Sequence, residues 1–516
     1  MTMDPRLRLG AFGAAGAILA VFVGAQLAAG QHLLALAVLL PPAVIVIERW
    51  IPSGAIGLML GALLMGNVIG NRGFAQLTPT PSLPLYPAEI GLALGAVWLL
   101  VQGARGRRLP LRFDTLDIAV AAWMVLSSLR LPFDVRLHGI DAARDYALVY
   151  YAGFFFLARH AAEHPPVRRA LHRAWVLTLL GLFVMYPFYI YNEVFFLTGF
   201  TVHGLPVIAI KSDLAGTFAA AGALYATVRW RAAREWRWSL LLCACLGLAL
   251  FIVSRAAFVG MLVTVLVFMP HVRGKFALTL VLLVGLGLLA SASQVAFGER
   301  TWRETRLYDV YEHAVSLFDV SGSGTYQGEA SQDTGDNTRF RIVWWRVLID
   351  RGIREHPLTG AGYGADISSE FARDYLGPGA GDFTARSPHN VILTVFARTG
   401  LAGLLPFLVL LGVIALSLWR ARQVLIDSHR SASGDGALAD TAMGCAALVI
   451  LISACFGVVL EGPMGAVVFW TLLGVAFSRP ANADAGSATA ETHETHVQPW
   501  HAPAERPNRT PAPGSC

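Results

Sequence analysis

The sequence predicts an all-α polytopic membrane protein of about 12–14 transmembrane helices with one large, partly helical extracytoplasmic loop. Three observations predict it. Hydrophobic residues make up 55% of the 516 positions and charged residues only 14%, against roughly a quarter charged in ordinary soluble domains. Apolar runs long enough to cross a hydrocarbon core recur along the chain; about 20 such residues are needed for each crossing. Basic residues fall in short clusters between alternate runs, as they do in cytoplasmic loops. The net charge of +6 is therefore read as membrane topology, and no nucleic-acid partner is expected.

The apolar runs lie near residues 9–30, 32–48, 52–70, 88–103, 115–131, 145–160, 174–191, 213–228, 239–254, 257–270, 276–295, 391–419, 441–460 and 464–478. The first is read as a span and not as a cleaved signal peptide, because no convincing cleavage site follows it. With the N-terminus inside, the inner connections hold twenty Lys and Arg, including Arg6, Arg8 and Arg49 and the clusters at 105–112, 159–173, 229–237, 273–275 and 420–430. The short outer connections hold six: Arg72, Arg130, Arg136, Arg144, Lys211 and Arg255. That asymmetry places both termini in the cytoplasm.

Four segments result: a membrane domain of about 11 helices over 1–295, a large outer loop over 296–390, further transmembrane helices over 391–478, and a tail over 479–516. The tail has almost no large apolar residues and is expected to be disordered. Within the large loop, residues 339–356 read as a helix. Ser321 to Asn337, full of Gly, Ser, Thr and Asp, reads as a mobile excursion. Gly360-Ala361-Gly362-Tyr363-Gly364 follows a helix without a surrounding βαβ unit, so it is read as a helix stop and turn, not a nucleotide loop. The five cysteines show no disulfide framework or zinc spacing, the acids Asp333 and Asp336 are too scattered for a metal site, and no cofactor is indicated.

Chemistry is sought among ionisable groups near helix ends, which are rare enough in membrane proteins to be informative. Lys211, Arg255, the pair Arg339 and Arg341, and His389 all fall on the outer side. Such a set suits a polyanion such as a diphosphate, because Arg presents a planar fork of donors to phosphate oxygens. Each has an ordinary alternative. Lys211 and Arg255 could snorkel to the interface, Arg339 and Arg341 could line a solvated helix face, and His389 could simply sit at the interface. Ser387-Pro388-His389-Asn390 reads as a helix start with Ser387 as N-cap and Pro388 at the first helical position. His389 would then lie in the first turn, kept neutral by the helix dipole, beside backbone N–H groups free to bind an anion.

Ser254-Arg255, Arg341-Ile342-Val343-Trp344-Trp345, Glu355-His356-Pro357-Leu358-Thr359-Gly360-Ala361-Gly362-Tyr363-Gly364, His389-Asn390-Val391-Ile392-Leu393 and Thr399-Gly400-Leu401-Ala402-Gly403-Leu404 follow one another over roughly 250–420. In order and spacing they resemble the O-antigen ligase and O-antigen polymerase superfamily. The resemblance implies a multi-pass glycosyltransferase of the bacterial inner membrane, inverting and metal-independent. Its donor would be a glycan on undecaprenyl diphosphate, and its acceptor lipid A-core, another glycan or a protein hydroxyl, at the periplasmic face. It puts the family's histidine at His389 and its arginines at Arg255 and Arg341 as catalytic residues. Lys211, Arg339 and Asn390 are the candidate substrate-binding residues beside them. Two other functions compete: a transporter or flippase of lipid-linked sugars, and a non-catalytic membrane subunit of an export complex. The spans are nearly free of charge, which argues against a path through the membrane; a scaffold gives no reason for a base at a helix end.

Overall fold

The computed structural model describes residues 53–78, 85–104, 114–233, 235–252, 254–268, 329–376, 385–427 and 435–478, with isolated positions elsewhere. The expected spans at 9–30, 32–48 and 276–295 and the tail fall largely or wholly outside these residues. Apart from a two-strand antiparallel hairpin, β1 (Thr201–Val202) and β2 (Leu205–Pro206), the regular structure is helical. Helix α1 (Gly54–Met65) continues through a π-helical turn (Gly66–Gly70) into a short helix (Asn71–Ala75), and is followed by α2 (Pro87–Ala104), α3 (Thr115–Ser128), α4 (Leu131–His138), α5 (Ile140–Asp145), α6 (Ala147–Tyr150), α7 (Gly153–Ala161), α8 (Pro165–Tyr191), α9 (Ser212–Ala233) and α10 (Trp236–Ile252). They continue with α11 (Arg255–Val263), α12 (Glu329–Glu355), α13 (Ser369–Leu376), α14 (Val391–Asp427), α15 (Asp435–Ser453) and α16 (Pro463–Ala476).

Among the described residues, four helical spans are long and apolar enough to cross a membrane outright, at 54–75, 165–191, 391–423 and 436–453. The bent pair α3–α4 makes a fifth candidate, and α2, α10, α11 and α16 are shorter apolar helices. Large apolar side chains face outward along several of them, among them Leu58, Val97, Ile118, Val125, Leu177, Leu240, Val409 and Leu416. A water-soluble surface does not tolerate so many. The chain is an all-α polytopic membrane protein.

Two helices lie at the centre. α9 is built largely from small residues, with Ala215, Ala219, Ala220, Ala221, Ala223 and Ala226 buried. Small side chains let neighbouring backbones approach closely, and α9 packs on α10, α11 and α15. α16 is buried from Gly465 through Val475 and packs on α7 and α15. A helix apolar on all sides belongs inside a bundle.

The expected single run at 145–160 is instead broken into α6 and α7, and the run at 391–419 is interrupted at Gly400, whose φ is 58°. The second break has a clear physical compensation. The N–H groups of Leu401 and Ala402 leave the helix ladder and donate to the carbonyls of Pro357 and Leu358, each at 2.9 Å. The carbonyls of Ala397 and Arg398 accept instead from the N–H groups of Ala361 and Gly362, at 2.8 and 3.0 Å. Buried backbone groups must be paired somewhere, and the turn after α12 supplies the partners. The approach requires glycine on both sides: a Cβ on Gly360 (φ 68°) would stand 2.5 Å from Gly400 N, and one on Gly400 would stand 2.6 Å from Gly360 N. The helix stop read at Gly360 is present, with Gly360 N–H donating to His356 O at 2.8 Å.

α12 begins ten residues before the expected helix, so residues 329–337 of the expected excursion are helical. Trp344, Leu348, Ile367, Phe371 and Ala397 form a small second core that seats α12 and α13 on the start of α14. Trp344 Nε1 donates to Ile367 O at 3.1 Å and Trp345 Nε1 to Pro388 O at 2.7 Å, fixing the segment that leads to His389.

Candidate active site

Four chain segments meet where α9, α11, α12 and α14 present their charged residues at one end of the bundle. Lys211 immediately precedes α9. Its backbone N–H donates to Asn71 Oδ1 at 3.1 Å, and its ammonium lies 3.8 Å from Asp213. Arg255 opens α11, close enough to Arg341 for mutual repulsion. Its neighbour Ala256 offers its carbonyl to Ser453 Oγ at 3.2 Å. Arg341 lies on α12 and donates from Nη1 to Phe456 O at 2.6 Å. Burial pushes its guanidinium below the usual value, and the Asp213 carboxylate acts the other way. A cation stripped of water gains most from an anionic ligand.

His389 lies within the field of Arg341, Lys211 and Asp213. Burial first, then the two cations, push its pKa down to about 4, while Asp213 opposes them. The imidazole is neutral at physiological pH, as expected from the sequence. The expected cause was wrong. Helix α14 starts at Val391, and its N-cap is Asn390, not Ser387: Asn390 Oδ1 accepts from the N–H groups of Ile392 and Leu393 at 3.0 and 3.1 Å. His389 therefore stands just outside the first turn, in the left-handed region at φ 59°. Val391 N–H is also taken, by Ala454 O at 2.9 Å. The N–H groups of residues 391–393 are thus spent within the protein, and the side-chain cations are left as the donors for an anion.

The turn that carries His389 is held by a buried carboxylate the sequence reading missed. Glu461 Oε1 accepts from Ser387 Oγ at 2.9 Å and lies 3.0 Å from Thr394 Oγ1; its Oε2 accepts from Val459 N at 3.1 Å. Ser387 Oγ in turn accepts from His389 N at 3.2 Å. Burial raises the Glu461 carboxyl, and the two hydroxyls act against it. Only its place between two apolar runs at 441–460 and 464–478 could have drawn attention to it. His389 Nδ1, by contrast, is buried with no hydrogen-bond partner among the described residues; a purely structural histidine would have it satisfied.

Of the residues singled out from the sequence, Lys211, Arg255, Arg341 and His389 come together. Arg339 does not. It is exposed and sits two positions before Arg341, and helix residues two apart do not share a face. Asn390 is adjacent and is given a capping role.

Residues 240–408 match the sequence model of the family described as O-antigen ligase. That stretch is similar to the O-antigen ligase family. No curated protein matches the chain. The matched stretch contains Arg255, Arg341 and His389, whereas Lys211, Asp213 and Glu461 reach the same place from outside it. Among the described residues there is no group of three or more His, Cys, Asp or Glu placed to hold a metal ion.

Proposed function

We propose that this protein transfers a glycan from a lipid diphosphate, of the undecaprenyl type, to an acceptor hydroxyl at the outer face of the bacterial inner membrane. The observation that supports it most is a neutral, half-buried histidine beside several cations at one end of a membrane bundle. The cations suit the diphosphate and the histidine suits the hydroxyl.

In this reading the acceptor oxygen attacks the anomeric carbon as its proton passes to the imidazole of His389, and the bond from that carbon to the diphosphate oxygen breaks. The leaving diphosphate gains negative charge as it departs, and Arg255, Arg341 and Lys211 stabilise that charge where it develops. Direct displacement inverts the anomeric centre and asks for no metal. His389 becomes imidazolium only while the polyanion is beside it, which favours the proton transfer. Asp213 holds Lys211 in place and keeps the cluster from being wholly repulsive before the donor arrives. The acceptor is lipid A-core in a ligase and a second carrier-linked glycan in a polymerase.

The test is complementation of a deletion strain with wild type and His389→Ala at matched membrane levels, followed by gel analysis of lipopolysaccharide and released polysaccharide. Accumulation of carrier-linked glycan in the variant alone supports the assignment, and the species accumulated names the acceptor step. Normal glycans in both strains would remove it.

A further inference from the structure

At the opposite end of the bundle from His389, the flank between α8 and α10 holds a second feature with a different chemistry. The separation follows from α9 itself: Lys211 precedes it and Arg229 lies near its far end, 18 residues on, or about 27 Å at 1.5 Å per residue. There a cavity of about 1250 Å³ opens. It exceeds the roughly 300–1,000 Å³ that suits drug-sized ligands.

Its lining is divided in two along the helix axes. The mouth carries Arg169 and Arg173 from the first turns of α8, and Arg237 from the first turn of α10. The deeper wall is apolar, with Leu177, Leu180 and Phe183 on one side and Leu240 on the other. These are not core residues: Leu177 is 58% exposed and Leu240 60%, along an unfilled groove. From Arg169 to Phe183 the wall descends 14 residues, about 21 Å along α8.

The charges at the mouth differ in how they are held. Arg168 and His172 are engaged by Asp440, at 3.2 and 3.1 Å, which fixes α8 to α15. Arg237 pairs with Glu235 and lies over the Trp238 ring at 5.3 Å, with Arg229 stacked on the same ring at 4.9 Å. Arg169 and Arg173 are exposed on the rim, and Trp236, 77% exposed, stands at the same level. An aromatic and basic rim above an apolar groove is the profile of a membrane interface. Basic pockets between transmembrane helices take anionic lipid headgroups.

We infer that the groove between α8 and α10 binds one anionic phospholipid of the leaflet at that end, its phosphate at Arg169, Arg173 and Arg237 and its acyl chains along Leu177, Leu180, Phe183 and Leu240. The charge complementarity selects an anionic headgroup, and the depth of the apolar wall selects a lipid over a soluble phosphate. The site stands independently of the transfer reaction, which is placed at the other end. By the bias of basic residues, its leaflet is the cytoplasmic one.

The experiment is native mass spectrometry of the full-length protein in detergent micelles, titrated with phosphatidylglycerol and with phosphatidylcholine. Phosphatidylglycerol should bind at least tenfold more tightly. The variant R169Q/R173Q/R237Q should lose that preference, with phosphatidylcholine binding unchanged. Leu177→Trp, which fills the groove and leaves the charges, should weaken the tight phosphatidylglycerol adduct at least tenfold, and glycerol 3-phosphate in tenfold excess should not displace it. Equal binding of the two lipids by wild type overturns the inference without recourse to any variant. So does an unchanged preference in the triple variant, unchanged binding in Leu177→Trp, or displacement by glycerol 3-phosphate, which would mark a soluble-anion site.

Discussion

Two groups of arginines sit at the His389 end of the molecule, and their surroundings differ in kind. Arg398, 2% exposed, pairs with Asp145 at 2.9 Å and donates to the carbonyls of Gly362, Ala365 and Arg386. Arg386 bonds Asp141 and Asp145 at 2.7 and 2.9 Å, and its pKa is raised, by its bond to Asp145 above all. Arg130 clasps Asp134, whose other contact is Tyr363 N–H at 2.8 Å. These groups tie α4, α5 and the glycine turn to α14, with a carboxylate facing each guanidinium. Around His389 the balance is reversed, with Arg341 and Lys211 acting against the single carboxylate of Asp213 on a neutral imidazole. Matched charges hold the fold; a positive excess is suited to a ligand that brings the missing charge.

The sharpest way to break that comparison is to exchange outcomes between the two groups. His389→Ala should lower glycan transfer by about 10²–10⁴-fold, the usual contribution of a general base, with thermal stability in detergent little changed. Arg398→Ala should do the reverse first, removing about 3–5 kcal/mol of stability because the carbonyls of Gly362, Ala365 and Arg386 lose their donor and Asp145 loses one of its two guanidinium partners; denaturation midpoints of the purified protein read it. A stable Arg398→Ala protein would mean that the paired group is not structural.

Gly360→Ala should destabilise by about 1–3 kcal/mol, since a Cβ there meets the backbone at Gly400 and φ is positive. Protease sensitivity of the 357–364 turn measures it. His389→Gly should act oppositely, gaining about 1 kcal/mol by relieving the left-handed backbone while abolishing transfer. A loss of stability would show that the turn needs the imidazole.

Arg341→Lys should lower transfer by about tenfold, roughly 1.4 kcal/mol, if two parallel hydrogen bonds to the diphosphate are replaced by a point charge. Near-normal activity in both Arg341→Lys and Arg255→Lys would count against a diphosphate at these residues. A further effect concerns pH. The His389 pKa in the fold, about 4, lies below the ordinary value of 6.5, so the unfolded chain binds the extra proton first. Its contribution to stability is complete above about pH 6.5 and is lost as pH falls to about 4. The difference in melting temperature between wild type and His389→Gln should change only inside that window. The acid limb of kcat/KM for the free enzyme should likewise lie near pH 4 and not near 6.5.

The sequence was enough to place Lys211, Arg255 and His389 beside helix starts, but Arg341, expected near a helix end, lies in the interior of α12 because that helix already begins at Glu329. It was also enough to read Gly360 as a helix stop. It put the start of α14 at Ser387 because Ser-Pro is a common helix opening, whereas in the fold Ser387 is drawn to Glu461 and Asn390 takes over the cap. Arg386 and Arg398 gave no signal of their structural pairing, and only the motif around Arg341 set that residue apart from them.

By itself, then, the sequence determined the solvent, since composition and run length set whether a helix is stable in lipid, and with it the family resemblance carried by local motifs. Only the tertiary structure decided which cations are matched. Arg386 and Arg398 find Asp141 and Asp145 about 240 to 250 residues back along the chain, a separation that only folding closes, and electrostatic balance depends on distance through space, which hydropathy along the chain does not record.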